Sequence, residues 1–355
     1  MLKDILVIIL SLLMSSCIKE TNPVIDDLNE SYLSGEGVFI LNEGNFRSGN
    51  GSLSFFSYDS LKIFNHVFLD INQRPLGDIP YSMIIHGTMA YIVVNNSGKI
   101  EVVNSRDMTS AATINGILSP RYVSFIDETK AYVTSLYSDS LAILDLSSNS
   151  VSGYINLRKS SESIVIVHTT AYVANWTGGN EIIVINTDND QVTDSIEVGA
   201  EPESMVIDKN ETLWVLCNGG WKREYFAELI GIDTRTNSIK KRLTFPSIND
   251  SPTCLQIDGK GEMLFYILDG IRRMNIDDVQ LPVVDFIPNS DHSFYKMGVN
   301  PDNDEIFVTD AVDYVQKGNV LRYRREGTLI SEMQVGIIPG GICFKFNADT
   351  NTQTK

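Results

Sequence analysis

The sequence predicts an all-β fold, a seven-bladed β-propeller of four-stranded blades closed by its own C-terminal strand. Three observations predict this fold. An aromatic-centred strand recurs seven times, a polar turn recurs in step with it, and the last strand matches the first strand of other repeats. The chain has 355 residues, a length at which closed all-β architectures often form a single domain.

The recurring strand is a short apolar run around one aromatic residue. Ala-Tyr-Val occurs at 131–133 and 171–173, Ala-Tyr-Ile at 90–92 and Leu-Trp-Val at 213–215. Weaker copies are centred on Phe39, Phe265 and Phe307. Successive aromatic positions are 40–42 residues apart, except for two intervals of 51 and 52 residues. A period near 40 residues, with strands bounded by turns, is typical of a four-stranded propeller blade.

A second mark of the repeat is a polar turn after the next strand. Strands ending in Asn104, Asp145, Asn186 and Asp233 are each followed by such a turn and by another strand. Asn and Asp suit a turn because their side chains bond nearby backbone groups. A further short strand lies upstream of each aromatic residue, so each repeat has four strands, which we name A to D.

The two ends of the repeat region complement each other. The first repeat begins at Gly37 with strand B, whereas residues 340–346 match A strands such as 80–85. We therefore expect the last strand to complete the first blade, which pairs edges that would otherwise be exposed. This assigns 37–346 to the propeller and 347–355 to a polar tail.

The first residues predict export and a lipid anchor. Lys3 precedes the apolar run 5–14, which is too short to span a membrane, and Ser15-Ser16-Cys17 follows it. We interpret 1–16 as a lipoprotein signal peptide, Cys17 as the lipidated residue of a loose lipobox, and 17–36 as a tether. A plain secretory signal with an incidental cysteine is the alternative.

The charge and the cysteine content argue against a nucleic-acid-binding protein and against a fold built on several disulfides. Acidic residues outnumber basic ones by 45 to 28, giving a net charge of −17, which argues against nucleic acid as a partner. After Cys17 only Cys217, Cys254 and Cys343 remain, so at most one disulfide is available. Three buried free thiols are the expectation; if a pair forms, Cys217 with Cys254 is favoured, since adjacent blades carry them.

The loops between strands B and C predict a binding face. They are longest in blades one and five, extended in blade seven, and rich in aromatic and amide side chains. Such a rim offers flat apolar contact and directional hydrogen bonds to a large polar organic ligand. The candidate residues are Asn42, Glu43, Asn45, Phe46, Arg47, Asn95, Asn96, Arg121, Tyr137, Asn175, Trp176, Asn218, Trp221, Tyr225 and Tyr314.

These candidates have simpler alternatives. Each aromatic ring could pack under its own loop, and each Asn at the end of a B strand could serve only as a turn residue. Arg121 and His292 fall in connections between strand D and the next strand A, which share this face. Tyr81 is a further candidate on the same rim.

Catalytic and metal-binding motifs are absent from the sequence. No His-Glu-x-x-His, Cys-x-x-Cys, phosphate loop or Gly-x-Ser-x-Gly motif occurs, and the four histidines lie in different blades. We therefore predict a protein that is not an enzyme, with no cofactor, no metal site and no catalytic residue.

The Ala-Tyr-Val-x-Asn strand and the Ile-x-Val-Ile-Asn/Asp strand resemble those of the YncE-like propellers over residues 37–346. The segments 39–46 and 51–59 resemble more specifically a lipoprotein branch of gut anaerobic bacteria, which includes surface corrinoid-binding propellers of the BtuG type. That resemblance implies capture of cobalamin or another corrinoid and its transfer to a TonB-dependent outer-membrane transporter. It also implies lipid anchoring in the outer membrane, at the cell surface rather than facing the periplasm.

Three functions therefore compete. The first is ligand capture for transport. The second is an enzyme of lactonase or lyase type, whose residues would be Glu43, Arg47, Arg121 and His292. The third is a protein-interaction platform, which a flat loop face would favour.

Overall fold

The computed structural model describes residues 31–347 and forms a ring of seven antiparallel sheets around a central channel. The predicted all-β seven-bladed propeller is confirmed. The predicted signal peptide, Cys17 and residues 18–30 of the predicted tether lie outside the described residues, as do residues 348–355 of the tail.

The strands follow the chain blade by blade. Blade one has β1 (Gly37–Asn42), β2 (Ser52–Ser57) and β3 (Lys62–Phe64), between the helices α1 (Ser31–Ser34) and α2 (Val67–Asn72). Blade two has β4 (Pro80–His86), β5 (Met89–Val94), β6 (Lys99–Asn104) and β7 (Ser110–Asn115). Blade three has β8 (Pro120–Phe125), β9 (Lys130–Ser135), β10 (Ser140–Asp145) and β11 (Ser150–Asn156). Blade four has β12 (Ile164–Val167), β13 (Thr170–Asn175), β14 (Glu181–Asn186) and β15 (Gln191–Glu197).

The remaining strands complete the ring. Blade five has β16 (Pro202–Ile207), β17 (Thr212–Cys217), β18 (Glu228–Asp233) and β19 (Ser238–Thr244). Blade six has β20 (Thr253–Ile257), β21 (Met263–Leu268) and β22 (Gly270–Asn275). Blade seven has β23 (Phe294–Val299), β24 (Ile306–Asp310), β25 (Lys317–Tyr323) and β26 (Leu329–Ile337), and β27 (Pro339–Lys345) ends the described strands.

The recurring aromatic residue joins neighbouring blades. The ring of Tyr172 is buried between the sheets of blades four and five, and its hydroxyl donates to Thr234 O and Asn237 Oδ1, both at 2.9 Å. Tyr132 makes the equivalent bond to Asp190 of blade four. A buried tyrosine stabilises a packing interface when its hydroxyl also finds a partner. The repeat in the sequence therefore reflects a repeated contact between blades.

The polar turns also have a local physical cause. The side chains of Asn104, Asp145, Asn186 and Asp233 each accept a backbone N–H two residues further on, at 2.8–3.0 Å. This bond stabilises the turn between strands C and D. The predicted turn positions are confirmed.

The C-terminal strand closes the ring as predicted. β27 pairs antiparallel with β1, placing Val38 opposite Phe344 and Ile40 opposite Ile342, and the first sheet has the order β27-β1-β2-β3. Strand A of every blade lies innermost. Its first residues consequently face the central channel at the end where the B–C loops also lie.

Two features differ from the sequence predictions, and a third decides between alternatives that the sequence left open. Blade six has three strands, because residues after β22 form only an isolated bridge between Ile271 and Ile287. The end of the predicted tether belongs to the folded body, since Leu33 is buried and the ring of Tyr32 stacks on Phe64. The three described cysteines are buried free thiols, as expected, and the alternative Cys217–Cys254 pair does not form.

Candidate functional site

β-Bulges shape the floor of the candidate site. Six innermost strands, β4, β8, β16, β20, β23 and β27, shift register at their first residues, where they reach the channel. A bulge adds an unpaired residue and redirects nearby side chains, which is why bulges are common beside functional sites. The polar side chains carried at these ends are Tyr81, Arg121, Glu203, Tyr295 and Lys296.

These ends and the B–C loops enclose a cavity of about 760 Å³, which we call the channel mouth. Its volume lies in the usual range for small-molecule sites. The cavity is lined by Glu43, Tyr81, Arg121, Leu136, Tyr137, Glu162, Trp176, Thr177, Glu201, Glu203, Asn218, Trp221, Arg223, Ser251, Thr253, Phe294, Tyr295, Lys296 and Tyr314.

One half of the floor is a buried cluster around Arg121. Its guanidinium donates to both carboxylate oxygens of Glu162, each at 2.7 Å, and stacks over the ring of Tyr81. Tyr81 donates its hydroxyl to Glu162 at 2.8 Å. Bidentate, charge-assisted bonds of this kind fix both partners. Burial raises the pKa of Tyr81 well above its usual value, so the hydroxyl keeps its proton.

The other half of the floor is held by Lys296 and Glu203. The Lys296 ammonium lies 3.2 Å from one Glu203 oxygen, and the other oxygen accepts the backbone N–H of Cys254 at 2.8 Å. Burial by itself would raise the pKa of Glu203. The ammonium and the hydrogen-bond donors outweigh burial and lower that pKa, so Glu203 is ionised.

Glu43 has a different environment from the other two buried carboxyls. Only 8% of the residue is exposed, and one oxygen accepts the Tyr295 hydroxyl at 3.1 Å. Burial raises the pKa of Glu43. The charge of Lys296, the hydrogen bond from Tyr295 and the charge of Arg121 only partly offset that rise. The ionised form of Glu43 is therefore costly in the folded protein.

This cost predicts how Glu43→Gln changes stability with pH. A carboxyl whose folded pKa is raised stabilises the fold at low pH, and that contribution is lost as pH rises through the folded pKa. The Tm of Glu43→Gln minus that of the wild type should therefore increase from pH 5 to pH 8 in thermal melts. A difference that stays constant or shrinks would contradict the assignment, because the other titrating groups are common to both proteins.

Aromatic side chains form the walls of the channel mouth. Trp221 is 91% exposed and Tyr137 71% exposed, whereas Trp176 is half-buried near the Arg121 guanidinium. The indole N–H of Trp176 has no hydrogen-bond partner among the described residues. The walls therefore offer flat apolar faces above a polar floor.

The structure divides the sequence-predicted residues into two groups. Eight of them line the channel mouth: Glu43, Tyr81, Arg121, Tyr137, Trp176, Asn218, Trp221 and Tyr314. The amides of Asn42, Asn95 and Asn175 do not line it. They are buried and donate to Ser54 Oγ, Pro120 O and Ser160 O respectively, each at 2.9 Å. Their role is to bond the adjoining backbone and side chains, which is the turn alternative.

The other candidates lie outside the cavity. Asn96 bonds Asp78, and Asn45 bonds the backbone of Tyr314. Phe46 and Arg47 are exposed and stack on each other at the tip of the first B–C loop. His292 pairs with Asp310 at 2.8 Å and lines an adjoining polar cavity of about 360 Å³, which shares Ser251, Thr253 and Phe294 with the channel mouth. Of the residues named for the enzyme hypothesis, Glu43 and Arg121 line the channel mouth, whereas Arg47 and His292 do not line it.

A second cavity lies between blades four and five. This lateral groove has a volume of about 830 Å³ and includes Tyr225, the remaining sequence-predicted residue. Trp221 and Glu201 line both the lateral groove and the channel mouth. The B–C loops of blades four and five therefore border both spaces.

Sequence reasoning missed most of the floor. Four residues of the floor were not predicted as site residues: Glu162, Glu203, Tyr295 and Lys296. They lie in or just before A strands, whereas most of the predicted residues were sought in the B–C loops. A signal was present in the repeat. The residue after the proline that starts strand A is Tyr81 in blade two, Arg121 in blade three and Glu203 in blade five. Aligning those positions identifies Glu203, but not Glu162, Tyr295 or Lys296, none of which follows a proline.

Residues 31–347 contain neither a candidate metal site nor a candidate membrane-spanning helix. No group of three or more His, Cys, Asp or Glu side chains in this range could hold a metal ion. No helix in the same range is long and apolar enough to cross a membrane.

A protein-family model matches residues 36–344, nearly the whole propeller. The chain belongs to the DUF5074 family. This family is described as a domain of unknown function. No curated protein matches the sequence of this chain.

Solved structures resemble this DUF5074 chain in fold. A quinonprotein alcohol dehydrogenase-like protein from Bacteroides thetaiotaomicron has a TM-score of 0.69 at 14% identity, over 88% of this chain and 78% of that one. A candidate 6-phosphogluconolactonase from Bacteroides fragilis has a TM-score of 0.63 at 12% identity, over 89% and 99%. A functionally unknown protein from Desulfotomaculum acetoxidans has a TM-score of 0.65 at 13% identity, over 88% and 99%. At these identities the likeness concerns the propeller fold alone.

Proposed function

We propose that this protein is a binding protein that captures a large polar organic solute at the channel mouth. The observation that carries the proposal is the contrast between floor and walls. Arg121, Glu162, Glu203 and Lys296 are fixed by one another, so the floor is pre-organised and polar. Exposed aromatic faces stand above it at Tyr137 and Trp221. A rigid polar floor with apolar walls orients a ligand and supplies contact area.

A corrinoid such as cobalamin is the candidate ligand. It is a flat macrocycle edged by amide groups, so the aromatic walls would contact its face while floor carboxylates accept its amide N–H groups. The lateral groove shares Trp221 with the channel mouth and offers space for a ligand that extends beyond it. The choice of a corrinoid rests on the resemblance of the repeat to BtuG-type propellers.

The cellular role proposed is capture at the outer membrane and delivery to a TonB-dependent transporter. It rests on that resemblance and on the Ser15-Ser16-Cys17 motif, which lies outside the described residues. In this proposal the chain is lipid-anchored at Cys17 and displayed on the cell surface. Fatty-acid labelling that persists in a Cys17→Ser variant, or protection from protease on intact cells, would contradict it.

Removing the two tryptophans of the channel mouth should abolish tight binding. We expect a soluble chain of residues 18–355 to bind cyanocobalamin or cobinamide in calorimetry. A Trp176→Ala plus Trp221→Ala variant should lose at least about 30-fold in affinity, since aromatic anchors commonly carry about 2 kcal/mol or more each.

The matched control is Tyr154→Ala, which removes an exposed aromatic side chain from β11 on the outside of blade three. It should leave binding unchanged. Absence of heat with either corrinoid would remove the corrinoid from the proposal. Equal losses in the control and the double variant would remove the channel mouth.

A further inference from the structure

The floor of the channel mouth has more buried carboxyls than cations. Glu43, Glu162 and Glu203 face two cationic groups, Arg121 and Lys296. Arg121 is taken up by Glu162 and Lys296 by Glu203. At the rim, Glu201 and Arg223 add one charge of each sign. Glu43 is therefore the one carboxyl among these three that has no cationic partner.

Glu43 retains an oxygen that can accept a hydrogen bond from a ligand. Its Oε1 accepts the Tyr295 hydroxyl, while its Oε2 has no hydrogen bond and its carboxylate no ion pair within residues 31–347. The side chain is also held in place. A Cβ on Gly340 would lie 2.1 Å from Oε1, so the carboxyl packs directly against the backbone of Gly340.

We propose that Glu43 selects the ligand by accepting a hydrogen bond from an ammonium or primary amide group, so that the channel mouth discriminates against solutes that present a carboxylate. This inference rests on the proposed use of the channel mouth as a binding site and names the chemistry of its ligand. The positive charges of Arg121 and Lys296 are already paired with the carboxylates of Glu162 and Glu203. An incoming carboxylate would therefore meet a floor with more carboxyl groups than cations and with no unpaired cation, which is unfavourable in a partly buried site.

Three indole probes of one shape test the inference without requiring a corrinoid. Tryptamine presents an ammonium, indole-3-acetamide a primary amide and indole-3-acetate a carboxylate, while the shared ring can stack on the aromatic walls. At neutral pH, dissociation constants from ligand-observed NMR should be at least about tenfold lower for the first two probes than for the third. A tenfold ratio corresponds to a difference in binding free energy of about 1.4 kcal/mol. The Glu43→Gln variant keeps the shape of the side chain, and its amide oxygen can still accept a hydrogen bond from the Tyr295 hydroxyl. In this variant the preference for the first two probes should fall below about threefold.

The control variant is Glu128→Gln, which removes one exposed carboxylate from the A–B turn of blade three, on the opposite face. It should keep the wild-type preference. The inference is overturned if Glu43→Gln keeps the preference, if the carboxylate probe binds as well as the others to the wild type, or if no probe binds at millimolar concentration.

A parallel corrinoid titration separates this inference from the proposed function. Corrinoid binding without the probe preference would leave the binding function and reject Glu43 as the selecting residue. The probe preference without corrinoid binding would retain Glu43 as selector and reject the corrinoid.

Discussion

A chain that ends at Ile338 should not fold into a cooperative native structure. It lacks β27, the innermost strand of blade one, whose partner β1 is buried at every residue. Loss of that ladder exposes Val38 to Leu41 along an unpaired edge and opens the ring between blades one and seven. Several apolar side chains are then re-exposed at about 1.5–3 kcal/mol each, which is comparable with a total stability of about 5–15 kcal/mol.

The measurement is thermal unfolding followed by circular dichroism, together with the tendency to aggregate. We expect no sharp transition and association through the free edge of β1. The control is a chain that ends at Asn347, which keeps β27 and should melt like the full chain. A truncated chain ending at Ile338 with an unchanged Tm would show that closure by β27 does not stabilise the ring.

The fold could be predicted because its contacts repeat. Each blade must place an aromatic side chain between two sheets, and where that side chain is tyrosine its hydroxyl can bond the next blade, as Tyr172 does with Asn237. The same local requirement, met once per blade, leaves a period in the sequence. Closure was predictable for the same reason, since the residues of β27 match other A strands.

Blade six shows where the repeat stops being informative. Pro282 and Pro288 lie in the segment where strand D was expected, and proline cannot donate to a β-ladder. The observed bridge is limited to Ile271 and Ile287. The spacing of the aromatic residues carries no information about this outer strand, because spacing counts blades rather than strands.

The candidate site was predictable at its walls and not at its floor. Tyr137, Trp176 and Trp221 could be placed at the channel mouth because loop position follows directly from the order of strands. Glu203 and Lys296 could not, because a side chain within a strand changes face when the register shifts by one residue. The register of the A strands depends on bulges, which this sequence marks only weakly by proline.

The asparagines at the ends of B strands show that a buried backbone carbonyl can take an amide donor that was expected to contact a ligand. Asn95 was expected to present its amide to a ligand, yet it donates to Pro120 O, the first carbonyl of the neighbouring strand A. A buried backbone carbonyl without a partner is costly, so a nearby amide is drawn to it. The residue type indicated a hydrogen-bond donor correctly. Its partner depended on the position of the neighbouring blade.

Replacing Arg121 by methionine should be among the most destabilising single changes in the channel mouth. Glu162 is 2% exposed, and Arg121 supplies the cation that neutralises its carboxylate. Removing one member of a buried ion pair costs about 3–5 kcal/mol, because the other charge stays buried without a partner. Arg121→Met should therefore lower the Tm by about 10 °C in thermal melts.

The cause can be separated from a loss of packing by adding Glu162→Gln. The double variant removes the orphaned charge, and the glutamine carbonyl can still accept the Tyr81 hydroxyl that now bonds Glu162. It should regain most of the lost Tm, since neutral replacement of a whole buried pair is often tolerated. Arg242→Met, which breaks a pair with Glu228 from a 40%-exposed arginine side chain, should cost only about 1 kcal/mol or less. If Glu162→Gln fails to restore stability, the stacking of Arg121 on Tyr81, rather than charge pairing, stabilises the floor.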